Sequence, residues 1–232
     1  MTIRNDFPCD VAETEDMGIP MPDGIRLSAR VWMPVDAATN PVPAILEYIP
    51  YRKRDGTLPR DEMMHPYFAG HGYAAVRVDM RGNGDSGGLM EDEYSQQEMD
   101  DAVAVIDWLS RQPWCSGVVG MMGKSWGGFN CLQAAYNQPQ DGSGALKAVV
   151  SVCSTTDRFA DDIHFKGGCL LGENFGWGAV MLAYSSRPAD PILRNDWRDD
   201  WLRRLEAEPW LAPRWAAHQA RDGYWKHGSV GE

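Results

Sequence analysis

The sequence has no run approaching the roughly 20 consecutive apolar residues that a membrane-spanning helix needs. Met1 to Asp16 carries several carboxylates and no apolar stretch of the kind that begins a secretory leader. Both absences point to a cytoplasmic chain without a membrane partner. Cysteine is scarce: Cys9, Cys115, Cys131, Cys153 and Cys169 are an odd set without C-x-x-C spacing. They fit reduced, partly buried thiols better than a disulfide framework or a zinc site, so no metal is expected. Basic residues are also in short supply, with 22 Lys and Arg against 33 Asp and Glu and a formal net charge of -11. Nucleic-acid binding rests on clustered Lys and Arg that displace counterions, so a nucleic-acid partner is not expected. There are no internal repeats and no low-complexity segments. What is present is 232 residues, 44% hydrophobic and 24% charged, enough for one sizeable core and a small second unit.

Met17 to Met33 places an Asp23-Gly24 turn between two apolar stretches, and Ile25, Leu27, Ala29 and Val31 recur at period two. That pattern predicts an antiparallel hairpin at a sheet edge. Pro43 to Ile49, Tyr73 to Val78, Val118 to Met122 and Leu146 to Val152 are short and apolar throughout, as strands covered by helices on both faces must be. Helical patterns separate them: Arg60 to Ala69, then Gln96 to Leu109 with Met99, Val103, Ile106 and Leu109 on one face, then Gly127 to Tyr136. Alternating strand and helix predict an α/β fold with a mostly parallel sheet. After Val152 the alternation stops. Thr155 to His227 is rich in Trp and Arg, helix-like in stretches, and reads as a cap. The expected division is a core over 1–154 and a helical cap over 155–232.

The strongest chemical signal is Gly123-Lys124-Ser125-Trp126-Gly127-Gly128, a G-x-S-x-G pattern that follows one strand and opens the next helix. A nucleophile at a sharp strand-to-helix turn needs a strained backbone, and side chains two residues either side would collide, so glycines stand there. The positive end of the following helix favours the anion that forms in acyl transfer. Ser125 is therefore the candidate nucleophile.

Three other patterns compete with this reading. Gly123-Lys124-Ser125 resembles the end of a phosphate-binding P-loop, but the first glycine of that motif falls where Val118 stands. Gly84-Asp85-Ser86-Gly87-Gly88 copies the nucleophile segment of chymotrypsin-like proteases, which are all-β. Gly82-Asn83-Gly84-Asp85-Ser86-Gly87 matches the dinucleotide pattern G-x-G-x-x-G, yet no helix starts at once, so it reads as a flexible loop at the strand ends. No organic cofactor is expected.

An acyl-transfer serine also needs an oxyanion hole, and in α/β-hydrolases one donor is the amide after the nucleophile, here that of Trp126. The loop after the third strand, Pro50-Tyr51-Arg52-Lys53-Arg54-Asp55, has no run of glycines to present a second amide. The Tyr51 phenol is the alternative donor, although a tyrosine in a loop is more often a packing residue.

The chain resembles the X-Pro dipeptidyl-peptidase and cocaine-esterase-like hydrolases, which include α-amino-acid ester hydrolases. The resemblance rests on Met21-Pro22-Asp23-Gly24-Ile25-Arg26-Leu27, on Pro50-Tyr51, on Asp79-Met80-Arg81-Gly82 with Gly84 and Ser86-Gly87-Gly88, and on Trp114-Cys115 leading through Gly120 to Ser125-Trp126-Gly127-Gly128. It implies an α/β-hydrolase fold, Ser125 as the acyl-accepting nucleophile, and the Tyr51 hydroxyl with the Trp126 amide as the oxyanion hole. It also implies a triad Asp and His on later core strands, beyond a helical cap. Downstream of Ser125 the histidines are His164, His218 and His227, all within the cap-like segment, where each reads as a surface or packing residue. The sequence is accordingly read as a truncated N-terminal portion, nearly inactive by itself.

The cap holds Asp157, Asp161, Asp162 and Glu173 near His164, and Phe175, Trp177, Trp197 and Trp201. In the amino-ester branch of the family, cap carboxylates receive the substrate's α-ammonium group. Asp161, Asp162 and Trp177 are the candidate substrate contacts, against the alternative of solvated or capping carboxylates and simple cap packing. The expected substrate is a small acyl ester or a peptide, and the oligomeric state is left open. Two rival readings stand beside this one: a non-catalytic α/β-hydrolase-like module, and a P-loop nucleotide binder.

Overall fold

The computed structural model describes residues 6–139 and 141–231. β1 (Val11–Pro20) and β2 (Arg26–Pro34) form the expected hairpin, with Ile19 opposite Leu27 and Met17 opposite Ala29. The turn is closed by Met21 N–H to the Ile25 carbonyl at 2.8 Å and by Gly24 at φ 88°, a left-handed conformation that suits glycine. β2 then pairs antiparallel with β4 (Ala74–Asp79), and β3 (Val42–Ile49), β5 (Cys115–Lys124) and β6 (Leu146–Val152) run parallel with β4. The sheet order is β1-β2-β4-β3-β5-β6. The β4 and β3 strands bury Val76, Val78, Leu46 and Tyr48 completely, as apolar strands covered on both sides should.

α1 (Leu58–Gly70) lies over the β1, β2 and β4 side of the sheet, while α2 (Gln96–Ser110) and α3 (Trp126–Tyr136) cover β3 and β5, with α3 reaching β6. Two expectations are corrected here. The buried face of α2 is Met99, Ala102, Val105, Ile106 and Leu109; Val103 stands to one side of it, half-buried. β6 is not covered on both faces. Val150 and Val152 are 60% and 45% exposed, and an apolar groove of about 480 Å³ runs beside α1 along Ile45, Val118, Met122 and Val150. α1 does not extend over these strands, so their apolar side chains face outward although β6 is composed like an interior strand.

Beyond β6 come a short antiparallel pair, β7 (Phe165–Lys166) with β8 (Cys169–Leu170), and the helices α4 (Glu173–Ser185), α5 (Trp197–Ala207), α6 (Leu211–Ala217) and α7 (Gly223–Lys226). Their anchor is Arg158, 1% exposed, whose guanidinium lies over the rings of Tyr94, Tyr224 and Trp225 and donates to the His227 carbonyl at 2.9 Å. Val230 N–H closes the segment onto the Thr156 carbonyl at 2.9 Å. Among the described residues, no helix is long and apolar enough to cross a membrane.

Candidate active site

β5 ends at Lys124 and α3 begins at Trp126, so Ser125 alone turns the chain. Its backbone stands at φ 58° and ψ −118°, a region that costs an L-residue of the order of 1–3 kcal/mol. The glycines make room for it. A Cβ on Gly123 would lie 2.4 Å from the Gly127 carbonyl carbon, and one on Gly127 would lie 2.8 Å from the Ile49 side chain. The Ser125 N–H donates to the Val152 carbonyl at 2.8 Å, and its own carbonyl accepts from the Gly128 and Phe129 amides. The hydroxyl makes no capping bond to α3 and is left exposed at the C-terminal ends of the parallel strands.

Tyr51 follows β3 at the same end of the sheet. Its hydroxyl meets the Ser125 side chain and the Trp126 backbone N–H. Burial pushes the phenol well above its ordinary range, against these two contacts, so Tyr51 stays a neutral O–H donor at physiological pH. The loop that carries it is clamped. Lys53 is fully buried, with its ammonium 2.5 Å from Asp85 and 3.9 Å from Asp79, and its amide donates to Asp79 at 2.8 Å. Removing one partner of a buried pair costs about 3–5 kcal/mol. Arg52, at φ 59°, donates to the Pro188 carbonyl at 2.9 Å. This clamp also corrects the expected flexible glycine loop. Asn83, Asp85 and Ser86 are buried, because Asp85 must meet Lys53 and the Ser86 hydroxyl donates to the Asp79 carbonyl at 2.5 Å.

Ser125 opens onto a cavity of about 300 Å³ whose walls include Glu93, Tyr94, Asp161, Asp162 and Trp177. Asp161, Asp162 and Trp177 thus line this cavity. The other candidates do not. Phe175 is 62% exposed against Trp210, Trp197 stacks on Trp201, and the Trp201 indole donates to the Ser186 carbonyl at 2.7 Å. Asp157 pairs with Arg221 at 2.8 Å and accepts from the Phe159 and Ala160 amides, and Glu173 sits exposed in the first turn of α4. These are the capping and packing roles that compete with substrate binding for such residues.

Sequence reasoning missed Glu93. It lies in the loop between β4 and α2, buried, and accepts from His164 Nε2 at 2.6 Å, from the Trp177 indole at 3.0 Å and from Arg158 at 3.3 Å. Burial raises a carboxyl, yet the neighbouring His164, Arg158 and Trp177 outweigh it and hold Glu93 below the usual carboxylate range. The His164 Nδ1 lies 2.9 Å from the Asn174 side-chain oxygen, so both ring nitrogens face acceptors. Burial opposes its charge, and Glu93 overrides burial and raises its pKa. Burial, with the charge of Glu93, pushes Asp162 up to about 6, and one of its carboxylate oxygens is buried without a hydrogen-bond partner. A lone acid in a loop gave no local signal for this, because its partners lie 65–84 residues away.

Among the described residues, two clusters have the residue types of a metal site: Glu47 with Asp61 and His65, and Glu93 with Asp162 and His164, each with one ligand atom per residue within 4.8 Å of the others. Protein cations already answer Glu47, Asp61 and Glu93. Arg60 lies 2.5 Å from Glu47 and Arg77 3.3 Å from Asp61, while Arg158 and His164 answer Glu93.

A sequence profile of the X-Pro dipeptidyl-peptidase (S15) family matches residues 23–232. The cocaine esterase of Rhodococcus sp. (strain MB1 Bresler) is 33% identical over 165 residues, 70% of this chain and 27% of that protein. Among solved structures, a CocE/NonD family hydrolase from Staphylococcus aureus is similar with a TM-score of 0.68 at 20% identity, covering 100% of this chain and 44% of the other. An α-amino acid ester hydrolase is similar with a TM-score of 0.69 at 24% identity, covering 99% and 41%. Both likenesses show the α/β-hydrolase fold. The chain spans about a quarter of the length of the curated relatives it matches. A profile that begins at the hairpin turn and runs through elbow and cap-like helices takes in almost every residue described above: the chain belongs to the X-Pro dipeptidyl-peptidase (S15) family.

Proposed function

We propose that this chain carries the nucleophile and oxyanion half of a serine hydrolase that cleaves small acyl esters or peptides through an acyl-Ser125 intermediate. The observation that carries the reading is the meeting of the Tyr51 hydroxyl with the Ser125 hydroxyl and the Trp126 amide. When Ser125 Oγ bonds to the substrate carbonyl carbon, the C=O π pair moves onto oxygen, and the Tyr51 O–H and Trp126 N–H donate to that oxyanion. Collapse expels the alcohol or amine, which leaves with the proton that Ser125 lost. Water then attacks the acyl carbon, the bond from that carbon to Ser125 Oγ breaks, the carboxylic acid leaves, and a proton from the water returns to Oγ.

In this reading 1–154 are the core and 155–232 the cap. Trp177 offers an apolar wall, and Asp161 and Asp162 offer acceptors, the free oxygen of Asp162 suiting an N–H or ammonium donor. The general base is what the described cavity does not provide. His164 is buried against Glu93, His218 pairs with Asp222 at 2.8 Å, and neither they nor His227 line the cavity at Ser125. A serine at its normal pKa is a weak nucleophile, so residues 1–232 alone turn over slowly. That same observation favours the second reading, a non-catalytic module that retains the elbow.

Imidazole supplied from solution separates the two readings. Hydrolysis of p-nitrophenyl acetate by residues 1–232 should be slow without it and should acquire a Ser125-dependent component with it, measured beside Ser125→Ala. Equal rates for the two proteins in imidazole would refute the hydrolase reading.

A further inference from the structure

Trp126 is fully buried and its amide is the proposed oxyanion donor, yet the first turn of α3 has no side-chain cap to hold it. The restraint comes from α2. Glu98, 4% exposed, accepts the Trp126 indole N–H on Oε1 at 2.8 Å and the Tyr94 backbone N–H on Oε2 at 2.9 Å. Tyr94 has φ 53° and lines the Ser125 cavity beside Glu93, so both donors belong to strained turns facing that cavity. Asn130, one turn along α3 from Trp126, lies 3.5 Å from the same Glu98 oxygen and donates to the Tyr48 carbonyl at 2.6 Å.

We propose that Glu98 is a positioning residue for acyl transfer: its carboxylate straps the turn at Ser125 and Trp126 to the Glu93-Tyr94 wall and so fixes the Trp126 amide. The inference rests on the hydrolase reading for its consequence, but its geometry does not. Two donors on two oxygens suit a carboxylate; an amide in its place has one accepting oxygen and loses one of the two bonds. The groups facing Glu98 are Glu93 and Tyr94 from the loop before α2, Tyr48 from β3 and Tyr51 from the loop after it, Trp126 and Asn130 from α3, with Asp101 and Arg81 beyond Tyr48. Burial pushes the Glu98 carboxyl up to about 8, with Glu93 adding to the rise against the Trp126 and Asn130 bonds, so its charge state changes within reach of a titration.

The test is carried out on residues 1–232 by following the ¹H–¹⁵N resonances of Trp126 from pH 6 to pH 9. The expected result is that the Trp126 indole and the Trp126 backbone amide titrate with a common midpoint, and that both titrations vanish in Glu98→Gln. An indole that titrates while the amide stays fixed makes Glu98 a packing partner and overturns the proposal, as does a Trp126 amide resonance that Glu98→Gln leaves unmoved. Where Glu98→Gln does not fold, Trp126→Phe serves as the second variant: it removes the indole link to Glu98, and a backbone amide at position 126 that still titrates as in wild type overturns the proposal. Where Glu98→Gln folds, acetylation of Ser125 by p-nitrophenyl acetate should slow roughly 10-fold, in keeping with the cost of a small misplacement; an unchanged rate overturns the proposal. Folded wild-type chain that is never acetylated at Ser125 counts against the hydrolase reading instead, and the two titrations then decide the role of Glu98.

Discussion

Tyr51 and Ser125, which follow β3 and β5 and stand 74 positions apart in the chain, bring their hydroxyls together at the C-terminal edge of the sheet. The contact needs β3 and β5 to be parallel neighbours, with Leu46 level with Met121, so that the loops leaving both strands emerge side by side. If the Tyr51 hydroxyl stabilises the oxyanion, Tyr51→Phe should slow acyl transfer to Ser125 by about 10² to 10³, the usual effect of deleting one donor, with little change in substrate binding. A rate within threefold of wild type, or an effect confined to binding, makes Tyr51 a pocket wall. Steady-state and single-turnover kinetics on p-nitrophenyl acetate distinguish these outcomes.

The Glu93–His164 contact gives a pH signature. Glu93 is held below its ordinary value of 4.5, so the stability it contributes is present above that value and is lost as pH falls through the lowered one. His164 is raised above 6.5, so its contribution is complete below that value and is lost as pH rises through the raised one. The pair is therefore in full force between about pH 4.5 and pH 6.5. Subtracting the melting temperatures of His164→Gln from those of wild type, pH by pH, should give a difference largest in that window and shrinking above it. A difference that is flat with pH shows that His164 is held neutral.

β6 predicts behaviour in concentrated solution. An edge strand with Val150 and Val152 exposed beside an apolar groove invites pairing with another chain. Residues 1–232 should self-associate with rising concentration, and Val150→Lys, which puts a charge on an already exposed position, should reduce this without lowering the melting temperature. Light scattering on the two proteins is sufficient. Equal association means that another surface is responsible.

The parts of this molecule that could be read in the sequence are those whose cause is local. The Asp23-Gly24 hairpin, the parallel strands and the elbow each follow from neighbouring residues: a turn glycine, an apolar run, two glycines flanking a serine. Glu93, Glu98 and Arg158 carry no such mark. Each is a charged residue in a polar stretch, and its burial is decided by helices and loops that meet it only after folding. The same reason explains the reversed expectations. Val118 and Val150 look interior until the helices are placed, and the loop at Gly82 to Gly87 looks flexible until Lys53 reaches Asp85.

Acylation without turnover is the most direct measure of the proposed half-site. Residues 1–232 incubated with p-nitrophenyl acetate, then digested and mapped by mass spectrometry, should accumulate a single acetyl group on Ser125. The oxyanion donors assist attack on an activated ester, slowly in the absence of a base for the serine proton, and no cavity-lining histidine is there to activate water for the second step. The adduct should be absent from Ser125→Ala and should form far more slowly in Tyr51→Phe. Acetyl groups found only on lysines of a folded chain would contradict the assignment of Ser125 as nucleophile, and rapid Ser125-dependent turnover with no accumulated adduct would contradict the missing base.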